Sequence, residues 1–526
     1  MTEAELLSKI ESEEKAALGY FYGDLSKERS QAIEYYHGNL YDVPSTPGRS
    51  DVISTDVRDA VDGMLPDLLD VFLSSDEVCV FEPKGPEDEE ACKQATDVVN
   101  HIFYKQNNGS LILYEWFKTA LLEKNGIVKY WWEDSEEVTQ ESYQGLTQIQ
   151  FQQLVSDETV TVTKEPEQIQ IPQMPGVVLY NVSVEVKRKK GKTCVKGIPP
   201  EEFLVCSDHS SLSLQDARFV AHRSKKTEEE IEEMGGDVSK MGASGADNMV
   251  EFSPEWNARR RYYEERDSAN MGDTEGKYWV TEAYFKCEYE ERVQIRHVCK
   301  VGNQIFVNEE ADHIPFAAIC PVIIPYRFYG LSIADLVTDI MKTKSVIMRQ
   351  MLDSLYLANN ARIGVMESMV NLDDLLVSRP GGIIRFKTNP SMAMMPIETK
   401  FVGQQAFPML EYQDALKETR TGFTRQNQGL EADSLNKTAH GMQLLASASA
   451  KRMKLIARMF AETGMKDLFR GILHMTSKYN TKAMTIRLRN KWVDVDPRQW
   501  NTGWDVTVNV GLGTGDKSVE IQKLLA

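Results

Sequence analysis

Asp56, Asp59 and Asp62 recur at three-residue spacing. On a helix this places carboxylates along one flank, where they could share a cation or face water near the positive end of the helix dipole. The second, blander arrangement is the default. Lys187-Arg-Lys-Lys-Gly-Lys192 concentrates positive charge that could touch phosphate, but a solvated hairpin tip with Gly191 in the turn accounts for it more simply. Gly511-Leu-Gly-Thr-Gly-Asp-Lys-Ser518 has the look of a phosphate loop; its lysine follows Asp516 instead of a glycine, and the glycine spacing is wrong. His209 and His222 lie near Cys206, and His297 near Cys299. They could pair as ligands, yet isolated polar positions in a sheet explain them better. No HExxH, GxSxG, Cys-x-x-Cys or kinase set occurs. These residues predict no catalytic centre, no cofactor and no metal.

The elements that would carry such residues fall into two styles. Residues 1–40 read as two helices, with Leu6, Leu7 and Ile10 on one face and Ala32, Tyr35 and Tyr36 on the next. Ser54 can cap a helix through Val57, Val61, Met64, Leu65, Leu68 and Phe72, with a kink expected at Pro66. Helices follow at 90–106 and 111–124. From Gly126, β-branched and aromatic runs (127–132, 159–163, 177–186, 278–285, 293–307) predict a mixed block with a substantial sheet, and 235–248 reads as a flexible insertion.

The second half is helical at first. Ser332 and Asp335 form a capping pair for a helix over 331–358, about 42 Å long. Two short strands, 362–365 and 383–386, are expected next, the second after the turn sequence Arg379-Pro-Gly-Gly382. Helix resumes over 407–421. A polar stretch, 422–437, is long enough for a functional loop. A helical pattern runs from 438 to 479, with Gly441, Gly464 and Gly471 as candidate bends, and strands return over 484–510. Residues 518–526 read as the first turns of a helix, which suggests a further C-terminal piece. The fold class is α+β.

The chain has 526 residues, enough for three or four domains, and is 42% hydrophobic, which fits a globular protein. Lys and Arg number 60 against 79 Asp and Glu, a net charge of −19. That charge opposes tight, whole-surface binding to DNA or an anionic membrane, though not the passage of DNA beside the protein. Seven cysteines without a close pair argue against a disulfide framework and a zinc ribbon. The acidic N-terminus does not look like a signal peptide, and the longest apolar stretch, 314–325, is too short and proline-broken to span a bilayer.

Several strings, in this order, resemble the portal (head-to-tail connector) proteins of tailed bacteriophages, most closely those of short-tailed phages. They are Thr46-Pro-Gly-Arg-Ser-Asp-Val-Ile-Ser-Thr-Asp-Val57 running on to Met64-Leu-Pro-Asp-Leu-Leu69, Ile198-Pro-Pro-Glu-Glu-Phe203, and Asp216-Ala-Arg-Phe-Val-Ala-His-Arg223. Pro325-Tyr-Arg-Phe-Tyr-Gly-Leu-Ser-Ile-Ala-Asp335 and Arg379-Pro-Gly-Gly382 complete the set.

The resemblance implies a dodecameric ring at one capsid vertex, a channel for double-stranded DNA during packaging, retention and ejection. Implied partners are the terminase large subunit, a tail adaptor or head-completion protein, the major capsid protein and a scaffold protein, with no membrane. It maps 1–330 to a wing with mixed α/β character, 331–358 to a first stem helix and 359–405 to a small clip. Residues 406–421 become a second stem helix, 422–437 a tunnel loop and 438–526 the return to the wing, with a C-terminal crown absent or truncated. Arg425, Asn427, Gln428 and Lys437 are then candidates for guiding DNA from the loop, and Lys342, Lys344 and Arg349 from the stem. Arg362, Glu367, Asp373, Asp374 and Arg379 are candidate docking charges on the clip. A nucleic-acid-processing enzyme and a virion scaffold without a channel are the alternatives.

Overall fold

The computed structural model describes residues 2–74, 78–156, 160–163, 166–170, 178–237, 253–263, 277–360, 362–377, 380–397, 401, 403–424, 451–480, 484–488, 491–500 and 503–508. The N-terminal helices are Glu3–Tyr20 and Ser26–Tyr36. Leu6 and Ile10 of the first are buried against a five-stranded antiparallel sheet. Its strands, in spatial order, are Gln304–Ala311, Arg292–Val301, Lys277–Tyr289, Phe219–Thr227 and Phe203–Val205. Glu14 anchors the helix from beneath: it is buried with Arg223 (3.5 Å) and Lys300 (2.7 Å) and accepts from Thr281.

A second sheet is built on two strands of 21 residues each, Gly126–Leu146 and Val178–Ile198, paired antiparallel from Ile127↔Ile198 to Leu146↔Tyr180. Phe316–Ile319 borders its base, and Val160–Val162 and Glu167–Gln170 border its far end. The expected single mixed block is therefore two separate sheets. The far end carries its own apolar cluster around Val182, Val184 and Val186.

The basic run 187–192 is not a hairpin tip. It lies in mid-strand, with Lys192 opposite Glu133, Lys189 opposite Glu136 and Arg188 opposite Glu137. The cross-strand ion pair of Lys192 with Glu133 (3.2 Å) favours this register. Gly191 serves close packing there: a Cβ would stand 2.1 Å from the Trp132 ring.

The main core joins helices Asp56–Leu73, Glu89–His101 and Gly109–Glu123 to Lys466–Tyr479 and to the start of a long helix, Ile333–Asn359. The 56–73 helix continues through Pro66, and its N-cap residue is Thr55, not Ser54. The long helix begins with the expected capping box between Ser332 and Asp335. Gly403–Thr421 packs beside it and starts four residues earlier than its apolar pattern suggested.

Between these helices Arg362–Val365 pairs with Met394–Ile397, not with 383–386. The 383–386 run forms no strand: Ile383 is 80% exposed, and its one bridge is between the half-buried Phe386 and Val370. Of the candidate bends, Gly464 lies in a wide turn, Ala461–Met465, whereas Gly471 is inside a regular helix and gives room to Tyr130, whose ring would be 2.1 Å from an added Cβ. Gly441 and most of 422–450, the P-loop-like string, the 518–526 segment and most of 235–248 lie outside the described residues.

Candidate functional site

The stem candidates sit on the long helix, and none is an isolated cation. Lys342 pairs with Asp42. Lys344, 13% exposed, donates to Asp56 (2.9 Å) and Asp414 (2.7 Å). Arg349 donates through Nε to the Val52 carbonyl (3.0 Å) and pairs with Asp51 (3.2 Å). Their partners come from residues 42–56 and from the neighbouring 403–421 helix.

The solvated reading of the acidic cluster holds for Asp59 and Asp62, which are exposed, and fails for Asp56. Its carboxylate is 1% exposed and accepts from Lys344, from Lys417 (2.7 Å) and from the Ser54 hydroxyl (2.5 Å). Burial alone would push its pKa up, but these three donors outweigh burial and hold it below the ordinary carboxylate value. Asp62 accepts from the Tyr36 hydroxyl and pairs with Lys118, and Asp59 accepts from Thr55. Each of the three acids therefore has its own donor, and they do not converge on a shared cation.

The segment Arg49–Asp56, part of the first portal-like string, runs along the helix as an antiparallel strap. Asp353 accepts from the Ser50 amide (2.7 Å) and from Arg49 (3.4 Å). Arg349 takes Asp51 and Val52. The Ser345 hydroxyl accepts from the Ser54 amide (3.0 Å), and Lys344 takes Asp56. Positions 345, 349 and 353 are successive i, i+4 neighbours and so share one helix face. That spacing was legible in sequence; the partners, some 300 residues away, were not.

The 362–397 segment is apolar outside and thin inside. More than half of the exposed large apolar side chains among the described residues lie between Leu355 and Tyr412, including Leu376, Ile383, Met392 and Met395 at 72–80% exposure. Val370 and Ala393 are its buried apolar residues. Arg362, Glu367 and Asp373 are exposed. Asp374 is held by a two-pronged contact from Arg385 (2.6 and 2.9 Å), a partner the sequence did not suggest. Arg379, Arg425, Asn427, Gln428 and Lys437 lie outside the described residues.

Two constellations could be mistaken for chemistry. Cys299 Sγ lies 3.5 Å from His297 Nε2, which is also 3.2 Å from Glu282. In a nucleophile–base–acid relay the two imidazole nitrogens face different partners; here one nitrogen faces both. Burial also raises the Cys299 thiol far above its ordinary value, so it stays protonated. His209 Nε2 donates to the Ser213 carbonyl (3.0 Å) and His222 Nε2 to the Glu202 carboxylate (3.3 Å), with no metal-ligand geometry between them.

The second constellation is Glu123, Glu201 and Glu255, three buried carboxylates with oxygens within 4.8 Å of one another. The Arg259 guanidinium already occupies the space between two of them, 2.6 Å from Glu123 and 2.7 Å from Glu201. Arg29 faces the third at 3.7 Å. This is an ion network that ties four segments together beneath a cavity of about 570 Å³ lined by Tyr114, Trp256 and Arg259.

With the geometry in view, comparison with known families is decisive. A family model described as phage SU10 portal protein matches residues 6–526. The chain belongs to this family. The portal match spans both sheets, the long helix with its strap, and the 362–397 segment, and leaves out only the first residues of the N-terminal helix. It agrees with the α+β class and with a portal of the short-tailed type. No curated protein matches the chain. No helix among the described residues is long and apolar enough to cross a membrane.

Proposed function

We propose that this portal-family chain is one subunit of a twelve-membered ring at a capsid vertex, through which double-stranded DNA passes during packaging, retention and ejection. The observation that carries the ring is the apolar exterior between Leu355 and Tyr412. Apolar patches of this extent mark surfaces that other chains cover. In a closed ring each copy presents one face to a different face of the next.

The charge pattern supports a conduit that does not grip. Net charge is −19, and the three stem cations are each matched by an acid of the same chain. A polyanion sliding past matched pairs releases few counterions and so binds weakly. We assign guidance of the phosphates to Arg425, Asn427, Gln428 and Lys437 of the 422–437 loop. We assign docking of the terminase, and later the tail adaptor, to the exposed charges Arg362, Glu367 and Asp373 and to Arg379. The segment 359–405 is the clip, 331–358 and 406–421 the stem helices, and the capsid protein and scaffold meet the wing.

Native mass and axial images test the ring. Twelve copies of 59.7 kDa give roughly 716 kDa with a central hole. Met392→Asp with Met395→Asp should leave folded subunits that no longer close. A wild-type chain that remains a single copy at micromolar concentration, or that turns over nucleic acid by itself, would defeat the proposal.

A further inference from the structure

The long helix is held in two different ways along its length. Its first half is an apolar foot: Ile333, Ala334, Val337 and Met341 are buried in the main core with Val57, Ala60 and Met64 of the 56–73 helix. Beyond Met341 the buried positions are Ser345, Arg349 and Ser354, all polar. What covers them includes the strap, which is irregular from Arg49 to Thr55 and enters the 56–73 helix at Asp56. Its contacts are side-chain hydrogen bonds and ion pairs, several open to solvent: Arg49 is 53% exposed and Asp51 67%.

Such contacts differ from the foot in kind. Apolar burial is insensitive to salt and is lost only when the core opens. Half-exposed ion pairs are weak individually and are screened by salt. A helix anchored by one and fastened by the other opens first at the fastening. The 403–421 helix would move with it, because Lys344–Asp414 and Arg420–Asp339 (2.6 Å) fasten the two helices to each other.

We infer that the far half of the long helix, with the 362–397 segment that it carries, is a releasable arm, and that the Arg49–Asp56 strap is its catch. Asp56 is the fixed end of this catch: it opens the 56–73 helix, and its buried carboxylate, which salt screens little, contacts both stem helices through Lys344 and Lys417. Ser54 and Ser345 lie at its centre, where an amide-to-hydroxyl bond of 3.0 Å brings the strap against the helix. This does not depend on the ring: it is a property of one subunit.

The test is hydrogen exchange on the full-length protein as purified, followed peptide by peptide. Raising NaCl from about 0.05 to 0.5 M should screen the strap. Exchange over 345–359 should then rise at least ~10-fold while 333–341 is unchanged, because local opening exposes only the unfastened half. In a Ser54→Cys/Ser345→Cys chain, oxidation should abolish the salt effect and a reductant should restore it; the seven native cysteines are buried and leave the pair undisturbed. Equal acceleration in both halves, no acceleration in wild type, or a salt effect that persists in the oxidised chain would each overturn the inference. Should the double variant fail to fold, the wild-type comparison of the two halves still decides.

Discussion

Glu255 offers a sharp test of the buried ion network. It is fully buried, and neither carboxylate oxygen has a hydrogen-bond partner. The network holds three carboxylates against two guanidinium groups. At an effective dielectric constant of about 20, the Arg29 contact at 3.7 Å is worth about 4 kcal/mol, and each carboxylate within 4.8 Å opposes it by about 3 kcal/mol. Arg259 adds a smaller attraction. Attractions and repulsions nearly cancel, so the cost of burying the charge, several kcal/mol, decides the outcome. Burial, reinforced by Glu201 and Glu123 against the pull of Arg29, raises the Glu255 pKa well above its ordinary value.

A group with a raised folded-state pKa stabilises fully below its unfolded pKa of about 4.3 and loses that stabilisation as pH rises toward the folded value. Glu255→Gln copies the protonated form at every pH. It should therefore match wild type near pH 4.5 and be more stable by about 1–3 kcal/mol at pH 8. Urea unfolding at the two pH values measures this. A loss exceeding ~1 kcal/mol at pH 8 would show that Arg29 needs a carboxylate, and a gain independent of pH would remove the argument that the Glu255 pKa is raised.

Three further outcomes are expected. Asp56→Ala leaves Lys344 and Lys417 without their shared acceptor and should cost about 3–5 kcal/mol in denaturant unfolding, with at least half recovered by adding Lys417→Met. His313 has its pKa lowered to about 4, first by burial and then by the His474 ring 4.3 Å away. A lowered pKa gives stability that is present above the unfolded value of about 6.5 and lost as pH falls toward about 4, so His313→Phe should flatten the acid limb of the stability profile by ~3 kcal/mol. Gly464→Ala would place a Cβ 2.6 Å from the Ala318 carbonyl in a paired strand, and thermal unfolding should show a loss of about 1–3 kcal/mol.

The long helix was readable because a capping pair and a sustained 3.6-residue pattern agree, and both are local signals. The roles of its charges were not, because Lys344 and Arg349 look the same on a solvated face as under a strap. The solvated reading of Asp56 failed for the same reason: its two lysines lie 288 and 361 residues away in the chain. The run 187–192 was misread because Gly191 signals a turn, while the partner strand that makes a flat β position of it is visible only once register is fixed. Residues 383–386 failed the other way: the β-branched pair finds only a single bridge, Phe386 to Val370, and not a strand-long partner. Strings carrying the portal resemblance did mark real structure: Thr46–Val57 contains the strap, and Pro325–Asp335 leads into the capping box.

The two paired strands of the second sheet have a mechanical consequence. Twenty-one residues at about 3.4 Å each make a ribbon of roughly 70 Å. Tension along its axis is borne by covalent backbone in both strands, so the ribbon acts as a stiff tether between its far end and the body. Force that separates the strands at their root, Ile127 and Ile198, instead loads one rung at a time and peels them apart. The same structure is strong when pulled lengthwise and weak when prised open.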